Sequence, residues 1–414
     1  MIPKLDDYKS KWQLESTDMI KPGLEAITNA LKLLDHPEKK LQVVHIAGTN
    51  GKGSTLTFLE QIARLHGLSV GKFMSPCIVD VHDQIQINGQ PISEQELDAI
   101  FKVMKKAGLH NRLTDFELLT CVAFLQFARK KVDLVLLEAG MGGREDSTNV
   151  IVPIVSIIPS IALEHTKFLG NTIESIAAHK AGIIKIDTPV VIGRLPEDAL
   201  TIIQKEASEK NAPLRIIGEH FEIEASLEGD SYSNHEKGIT ISQLERKLPG
   251  RHQGDNMALA ITAFFEVADH FQLTVETQKL RDGVRAARLP GRFEQVWPNI
   301  YFDGAHNPAS AQKLVDTLQA EFPNNNIRFV IGMLADKDVA TVLSIFETIS
   351  DEFYFVDFSN ERAMEAENMI GISKAAKKCI LNKKISDFTH CEGITVVTGS
   401  LYLLTELRGR QEFL

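Results

Sequence analysis

Gln42-Val43-Val44-His45-Ile46-Ala47, then Gly48-Thr49-Asn50-Gly51-Lys52-Gly53-Ser54, then residues 55–66: the character of this protein is read from these three segments in this order. The first is a short apolar run, the pattern of a strand buried on both faces. The third has helical spacing, with Leu56, Leu59, Ile62 and Ala63 on one face and Gly67 as its stop. Between them lies a glycine-rich turn. Glycines let a backbone bend round an anion, and the N–H groups of a helix start bring donors and the positive end of the dipole. Lys52 offers a point charge to β- and γ-phosphates, and Ser54 a hydroxyl to Mg²⁺. The spacing is not the common one. Two residues separate Gly48 from Gly51 where four are expected, and Gly53 intervenes between Lys52 and Ser54. The plain alternative is a ligand-free strand-to-helix turn; strand, loop, lysine, hydroxyl and helix in succession favour a phosphate loop.

Outward from this stretch, apolar runs alternate with helical segments, the pattern of a parallel sheet with crossover helices. Strands are expected at 69–74, 132–137 and 154–163. Ser93 with Glu96, Thr114 with Glu117, and Asn171 with Glu174 read as capping boxes. Residues 222–247 turn polar and alternate in places, predicting a small antiparallel excursion. Leu289-Pro290-Gly291-Arg292 reads as a boundary. Beyond it a second series is expected: strand 299–303, helix 309–322, strand 327–331, helix 339–349, strand 353–357, and strand 394–398 before a terminal helix. The reading is an α/β protein. A P-loop-type parallel-sheet ATPase domain spans 1–290, and a smaller Rossmann-like α/β domain spans 291–414.

Composition narrows the partners. The 414 residues carry 45 basic and 55 acidic side chains, a net charge of −10, against a general nucleic-acid binder. The 43% hydrophobic fraction speaks against disorder. Four scattered cysteines (Cys77, Cys121, Cys379, Cys391) form no CxxC pair and fit a reducing compartment. Met1 to Gln13 lacks an apolar core, so no signal peptide is read there. The most apolar stretch, 151–163, is broken by prolines and serines and falls short of the roughly 20 residues a membrane span needs. A cytoplasmic monomer acting on small molecules is expected.

His45 through Ser54 closely resembles the phosphate loop of the folylpolyglutamate synthase and dihydrofolate synthase family, ATP-dependent amide ligases related to the muramyl ligases. Further segments resemble that family in order. They are Ser75-Pro76, Asn88-Gly89 with Ile92-Ser93, Phe116-Glu117, Glu138 to Arg144 through Thr148-Asn149, and His165-Thr166 with Phe168-Leu169-Gly170. Lys180 to Ile184, His252-Gln253 with Asn256, Pro290-Gly291-Arg292, Asp303 to Pro308, Gly332 to Asp338, and Val397 to Ser400 continue the series.

The resemblance implies a ligase that activates a carboxylic acid with ATP as an acyl phosphate, which the amine of L-glutamate then attacks. Dihydropteroate and reduced folates are the implied acids. Asn50, Gly51, Lys52, Gly53, Ser54, Asn256, Arg292 and Asp303 are implied ATP contacts, with His306 beside the nucleotide. ATP is thereby expected in the cleft between the two domains. Ser75, Glu138 and His165 are the implied Mg²⁺ ligands, and Lys180 is the implied site of a carbamate formed with carbon dioxide. Thr114, Asp115, Phe116, Glu117, Glu145, Asp146 and Ser147 are implied acid-substrate contacts, Asp146 being suited to pair with a pterin's donor edge. Read without the resemblance, many of these have ordinary explanations. Glu138 is also a solvated strand end, His165 a structural histidine, and Lys180 a cation at a helix C-terminus. Asn256 reads as a helix cap, Arg292 as a hinge cation, Asp303 as a turn residue, and Thr114 with Glu117 as a capping box. The chain departs from the family pattern at Cys77 and Gln84, where relatives usually carry His and Arg. It departs again at Glu145 and Ser147, where Leu and Ala are commoner. Alternatives are a folylpolyglutamate synthase alone, a muramyl-type ligase, or a regulatory P-loop nucleotide-binding module.

Overall fold

The computed structural model describes residues 2–17, 22–109, 113–226 and 228–409. Internal packing separates the chain into two units, Met1–Lys247 with Gln253–Ala287, and Leu248–His252 with Arg288–Leu414.

The first unit is built on an eight-stranded sheet. Across the sheet its strands run Leu214–Ile216, Val190–Ile192, Val155–Ile158, Val43–Ile46, Leu134–Glu138 and Val70–Phe73, all parallel. An antiparallel pair, Ile85–Ile87 and Gln90–Pro91, completes the edge. The central strands are buried along their whole length, which is why they read as unbroken apolar runs rather than alternating ones. One sheet face packs on a core that includes Phe101, Phe124, Phe127 and Val135, and the other on Ile158, Ile176, Ile184 and Ile203. Order and sequence differ: Leu134–Glu138 lies between Val43–Ile46 and Val70–Phe73, whereas Val155–Ile158 flanks the other side. The chain thus reverses direction about Val43–Ile46, and such a reversal opens a crevice beyond the C-terminal strand ends.

The expected antiparallel excursion is a three-stranded sheet of Phe221–Glu224, Asp230–Asn234 and Ile239–Leu244. Three local expectations need correction. The helix after the phosphate loop begins at Lys52, not Thr55, because Gly51 turns the chain and its carbonyl accepts the first helical bond from Thr55 N, 2.9 Å. The strand expected to reach residue 163 stops at Ile158, where Pro159 offers no N–H to continue the ladder. The helix Ile173–Ala181 is capped by Thr172, whose side chain accepts from Ser175 N; Asn171 and Glu174 form no box there. The boxes at Ser93 and Thr114 are present with both reciprocal bonds.

The second unit carries a six-stranded sheet in the order Glu294–Trp297, Ile300–Phe302, Ile394–Thr398, Ile327–Ile331, Glu352–Phe355 and Lys377–Ile380. Only its first pair is antiparallel. Helices Pro308–Glu321, Val339–Phe346 and Leu401–Gly409 match the expected series. The hairpin strand Glu294–Trp297 and the exposed edge strand Lys377–Ile380 were not anticipated, since neither alternates clearly nor buries an apolar run.

Candidate active site

The phosphate loop leaves the C-terminal end of Val43–Ile46 and is braced from the neighbouring strand's exit. Thr49 N donates to Ser160 O at 2.9 Å, and Asn50 N to Ser160 Oγ at 2.9 Å. Ser160 Oγ returns a bond to Asn50 O, and Thr49 Oγ1 donates to Ala162 O at 3.1 Å. Gly51 has φ +90°, and a Cβ there would stand 2.4 Å from Asn256 Oδ1. Both the left-handed backbone and the close approach require glycine. Lys52, Gly53 and Ser54 form the first helical turn, whose N–H groups have no partners within the helix. Lys52 Nζ curls back to Gly48 O, 2.8 Å, and stands 3.8 Å from Glu138 Oε1. Asn256 is not a helix cap. It lies inside Arg251–Phe271 and donates to Gln253 Oε1 at 2.9 Å.

Glu138 ends its strand beside Ile46 and is buried, so the solvated-strand-end reading fails. On the other flank of the loop, the segment after Val155–Ile158 delivers Glu164 and His165. Lys180 is only 1% exposed, and its Nζ donates to Glu164 Oε1 at 2.6 Å. It is therefore no solvated helix-end cation. Burial, aided by the nearby Lys52 charge, holds Lys180 below the ordinary lysine range although Glu164 pulls the other way. Burial would raise the Glu164 carboxyl, but Lys180, Lys52 and His165 together bring it down to about 2. Lysines 52 and 180 and glutamates 138 and 164 thus face one strand edge as an alternating cluster. Sequence reasoning missed Glu164. The family resemblance points to its neighbour His165, and nothing local marks the glutamate, whose partner lies in the helix Ile173–Ala181. His165 takes a left-handed backbone, φ 47°, at the start of Thr166–Leu169. Ser75 follows Val70–Phe73 and is half-buried. Among the described residues, no three His, Cys, Asp or Glu side chains group so as to hold a metal. The trio Ser75, Glu138 and His165 includes only two side chains of those types, and Mg²⁺ commonly takes few protein ligands beside phosphate oxygens and water.

On the acid-substrate side, the structure gives several predicted contacts internal partners. Thr114 and Glu117 cap the helix Asp115–Lys130, with Thr114 N donating to Glu117 Oε2 at 2.7 Å and Glu117 N to Thr114 Oγ1 at 3.2 Å. Asp115 accepts from Lys9 Nζ, 2.9 Å, and Ser16 Oγ. Phe116 stacks on Phe73 with centroids 5.5 Å apart. Its ring tip occupies the place a Cβ on Gly140 would need, 2.7 Å away, which sets it just past Glu138. Asp146 is buried. Its Oδ2 accepts from Met141 N at 2.8 Å and its Oδ1 from Thr148 N at 3.0 Å. Burial raises its carboxyl while these donors oppose. Ser147 Oγ meets Thr120 Oγ1 at 2.9 Å, and Glu145 is exposed. A cavity of about 390 Å³ adjoins this helix start, lined among others by Pro22, Leu24, Asn29, Leu113 and Glu117.

In the second unit, Asp303 follows the Ile300–Phe302 strand. Its oxygens accept from Phe293 N, 2.8 Å, and Ala305 N, 2.9 Å. Burial raises its carboxyl, and the Arg292 charge opposes. His306 donates from Nδ1 to Gly304 O at 2.8 Å, since a carbonyl only accepts. Arg292, Asp303 and His306 are thereby gathered at one strand end.

Residues 46–264 match the Mur ligase middle domain, and 291–395 the Mur ligase glutamate ligase domain. The dihydrofolate synthase/folylpolyglutamate synthase of Bacillus subtilis is 36% identical over 94% of this chain and 95% of its own length. The chain belongs to the dihydrofolate synthase/folylpolyglutamate synthase family. Its Lacticaseibacillus casei relative, a folylpolyglutamate synthase, is 32% identical over 92% of both chains. Among solved structures of the family, Escherichia coli FolC in complex with DHPP and ADP superposes with a TM-score of 0.89 at 31% identity, covering 98% of this chain and 97% of the other. The Thermotoga maritima folylpolyglutamate synthase gives 0.82 at 30% identity, covering 94% and 93%. Among the described residues of this family member, no helix is long and apolar enough to cross a membrane.

Proposed function

We propose that the chain is an ATP- and Mg²⁺-dependent ligase that adds L-glutamate to dihydropteroate and to the glutamate tail of reduced folates. One observation carries this reading: the phosphate-loop lysine stands 3.8 Å from the strand-end glutamate of the adjacent central strand, so an anion-binding loop and a hard cation ligand share one edge.

The N–H groups of the loop and the Lys52 charge hold the ATP phosphates and neutralise charge as the terminal phosphoryl moves. The donor set of carboxylate, hydroxyl and imidazole leaves places for phosphate oxygens and water, so Glu138, Ser75 and His165 would hold Mg²⁺, which when bound screens the phosphate charges. The substrate carboxylate oxygen attacks the γ-phosphorus; a P–O bond forms, the β–γ bridge breaks and ADP leaves. The amine of glutamate then attacks the acyl carbonyl, the C–N bond forms, and phosphate departs with the acyl oxygen and takes up the proton that the amine loses. Asn256, Arg292, Asp303 and His306 are assigned to the nucleotide. Phe116, Asp146 and the 390 Å³ cavity are assigned to the acid. Lys180 is assigned a carbamate: an amine held below its usual range offers the neutral nucleophile that carbon dioxide requires.

The test is purified protein with ATP, Mg²⁺ and glutamate, offered dihydropteroate and tetrahydrofolate separately and scored for glutamate-dependent ADP release. Release with both is expected. Release with tetrahydrofolate alone would reduce the enzyme to a single-activity synthase, and ATP hydrolysis indifferent to either acid would overturn the ligase.

A further inference from the structure

His45 sits on the strand that launches the phosphate loop, fully buried, and no step above uses it. Its Nε2 lies 2.8 Å from Thr148 Oγ1, and its Nδ1 has no hydrogen-bond partner among the described residues. Thr148 Oγ1 in turn donates to Asp146 Oδ1 at 2.6 Å. We propose that His45 is a positioning residue which, through the Thr148 hydroxyl, keeps Asp146 an unprotonated carboxylate ready for the acid substrate. This rests on the assignment of Asp146 to that substrate.

The argument is a count of protons. A threonine hydroxyl has one hydrogen to give. Given to Asp146, it leaves Thr148 Oγ1 as the acceptor for His45, so the ring hydrogen is on Nε2. With Oδ2 already accepting from Met141 N, a proton taken up on Asp146 Oδ1 would need the reverse arrangement. The carboxylic acid would donate to Thr148, Thr148 would donate to Nε2, and the ring hydrogen would move to Nδ1. There it would be a buried N–H with no acceptor, an arrangement proteins rarely tolerate. The histidine therefore penalises protonation of a carboxyl that burial alone would favour protonating. The charged groups facing this chain are Lys180, from the helix Ile173–Ala181, which acts on Asp146, and Lys185, which acts on His45. Lys185, and Lys180 while it carries no carbamate, oppose a further proton. The neighbouring Arg144 is engaged elsewhere, with Glu206 Oε2 and Ala178 O.

The experiment has two arms. Nitrogen-15 NMR of the wild-type histidines should show His45 neutral with its proton on Nε2 throughout pH 5–8. In the second arm, kcat/KM for dihydropteroate is followed against pH. Thr148→Val, close in shape, should move the acid limb upward by about one unit, equivalent to about a tenfold loss on that limb. The KM for ATP should stay near wild type and report an intact fold. His45→Gln, whose amide also donates, should restore most of the wild-type profile, whereas His45→Phe should behave as Thr148→Val. A proton found on Nδ1 overturns the inference. So does an unmoved acid limb in Thr148→Val when Asp146→Asn raises the KM for dihydropteroate. If Asp146→Asn leaves that KM unchanged, the assignment of Asp146 fails and the inference falls with it.

Discussion

Lys52 illustrates what one side chain contributes. Its side chain is 17% exposed, its ammonium bonds its own loop's carbonyls, and Glu138 stands no nearer than 3.8 Å, so its removal breaks no close buried ion pair. Lys52→Ala should lower turnover roughly a hundred- to thousandfold, as loss of one preorganised charge does, while the melting temperature stays near wild type. Steady-state ADP release and thermal unfolding check the two halves of this statement. Lys180 is the opposite case. Its ammonium is buried against Glu164 at 2.6 Å, and deleting one partner of a buried pair leaves the other uncompensated. Lys180→Ala should therefore lose both activity and stability. Intact-mass measurement under carbon dioxide should show the carbamate on wild type and not on the variant, and a bare lysine in a fully active enzyme would refute the assignment.

Among the elements, those with strong local chemistry were legible. The helix Asp115–Lys130 announces its start by Thr114 and Glu117, and both reciprocal bonds form. Because that pair already satisfies its own helix end, Thr114→Ala should cost about 1 kcal/mol, lowering the melting temperature by about 2–4 °C, and Thr114→Ser should recover most of it. Thermal unfolding of the three proteins decides this. The strand Val155–Ile158 was over-extended because residues 159–163 are apolar enough to resemble a strand; in fact they leave the sheet to brace the phosphate loop through Ser160 and Ala162. The helix Lys52–Leu65 carries a tie invisible to its apolar pattern. Glu60, on that helix, pairs with Lys72 in the middle of Val70–Phe73, both nearly inaccessible to solvent. A periodicity that marks apolar positions cannot show two opposite charges buried against each other.

For the whole molecule, pH links the site to stability. Burial, with Lys185 nearby, lowers His45 from 6.5 to about 3, and burial likewise lowers His66. The folded state therefore favours their neutral forms, and below pH 6.5 the unfolded chain binds more protons. Their contribution to stability should accordingly be complete above about pH 6.5 and fall as the pH drops toward 3. Asp146 and Asp303, whose carboxyls burial raises from the ordinary value, act oppositely, losing stability as the pH rises above 3.8, the unfolded value. Removing one histidine titration, His45→Gln should lose less stability than wild type between pH 7 and 5, as urea midpoints of the two proteins would show. Alternation of buried strands and amphipathic helices was readable from the chain alone, as were the glycine-lysine turn and the start of a second αβ series, because each depends on residues a few positions apart. The partners across the fold were not. His45 meets Thr148 103 positions away, Lys180 meets Glu164, and Leu134–Glu138 inserts between two strands that precede it in sequence. Strand order and side-chain burial are set by which surfaces the whole chain can cover at once, so a lysine that reads as a solvated helix end becomes a buried amine only when the sheet and its neighbouring loops close over it.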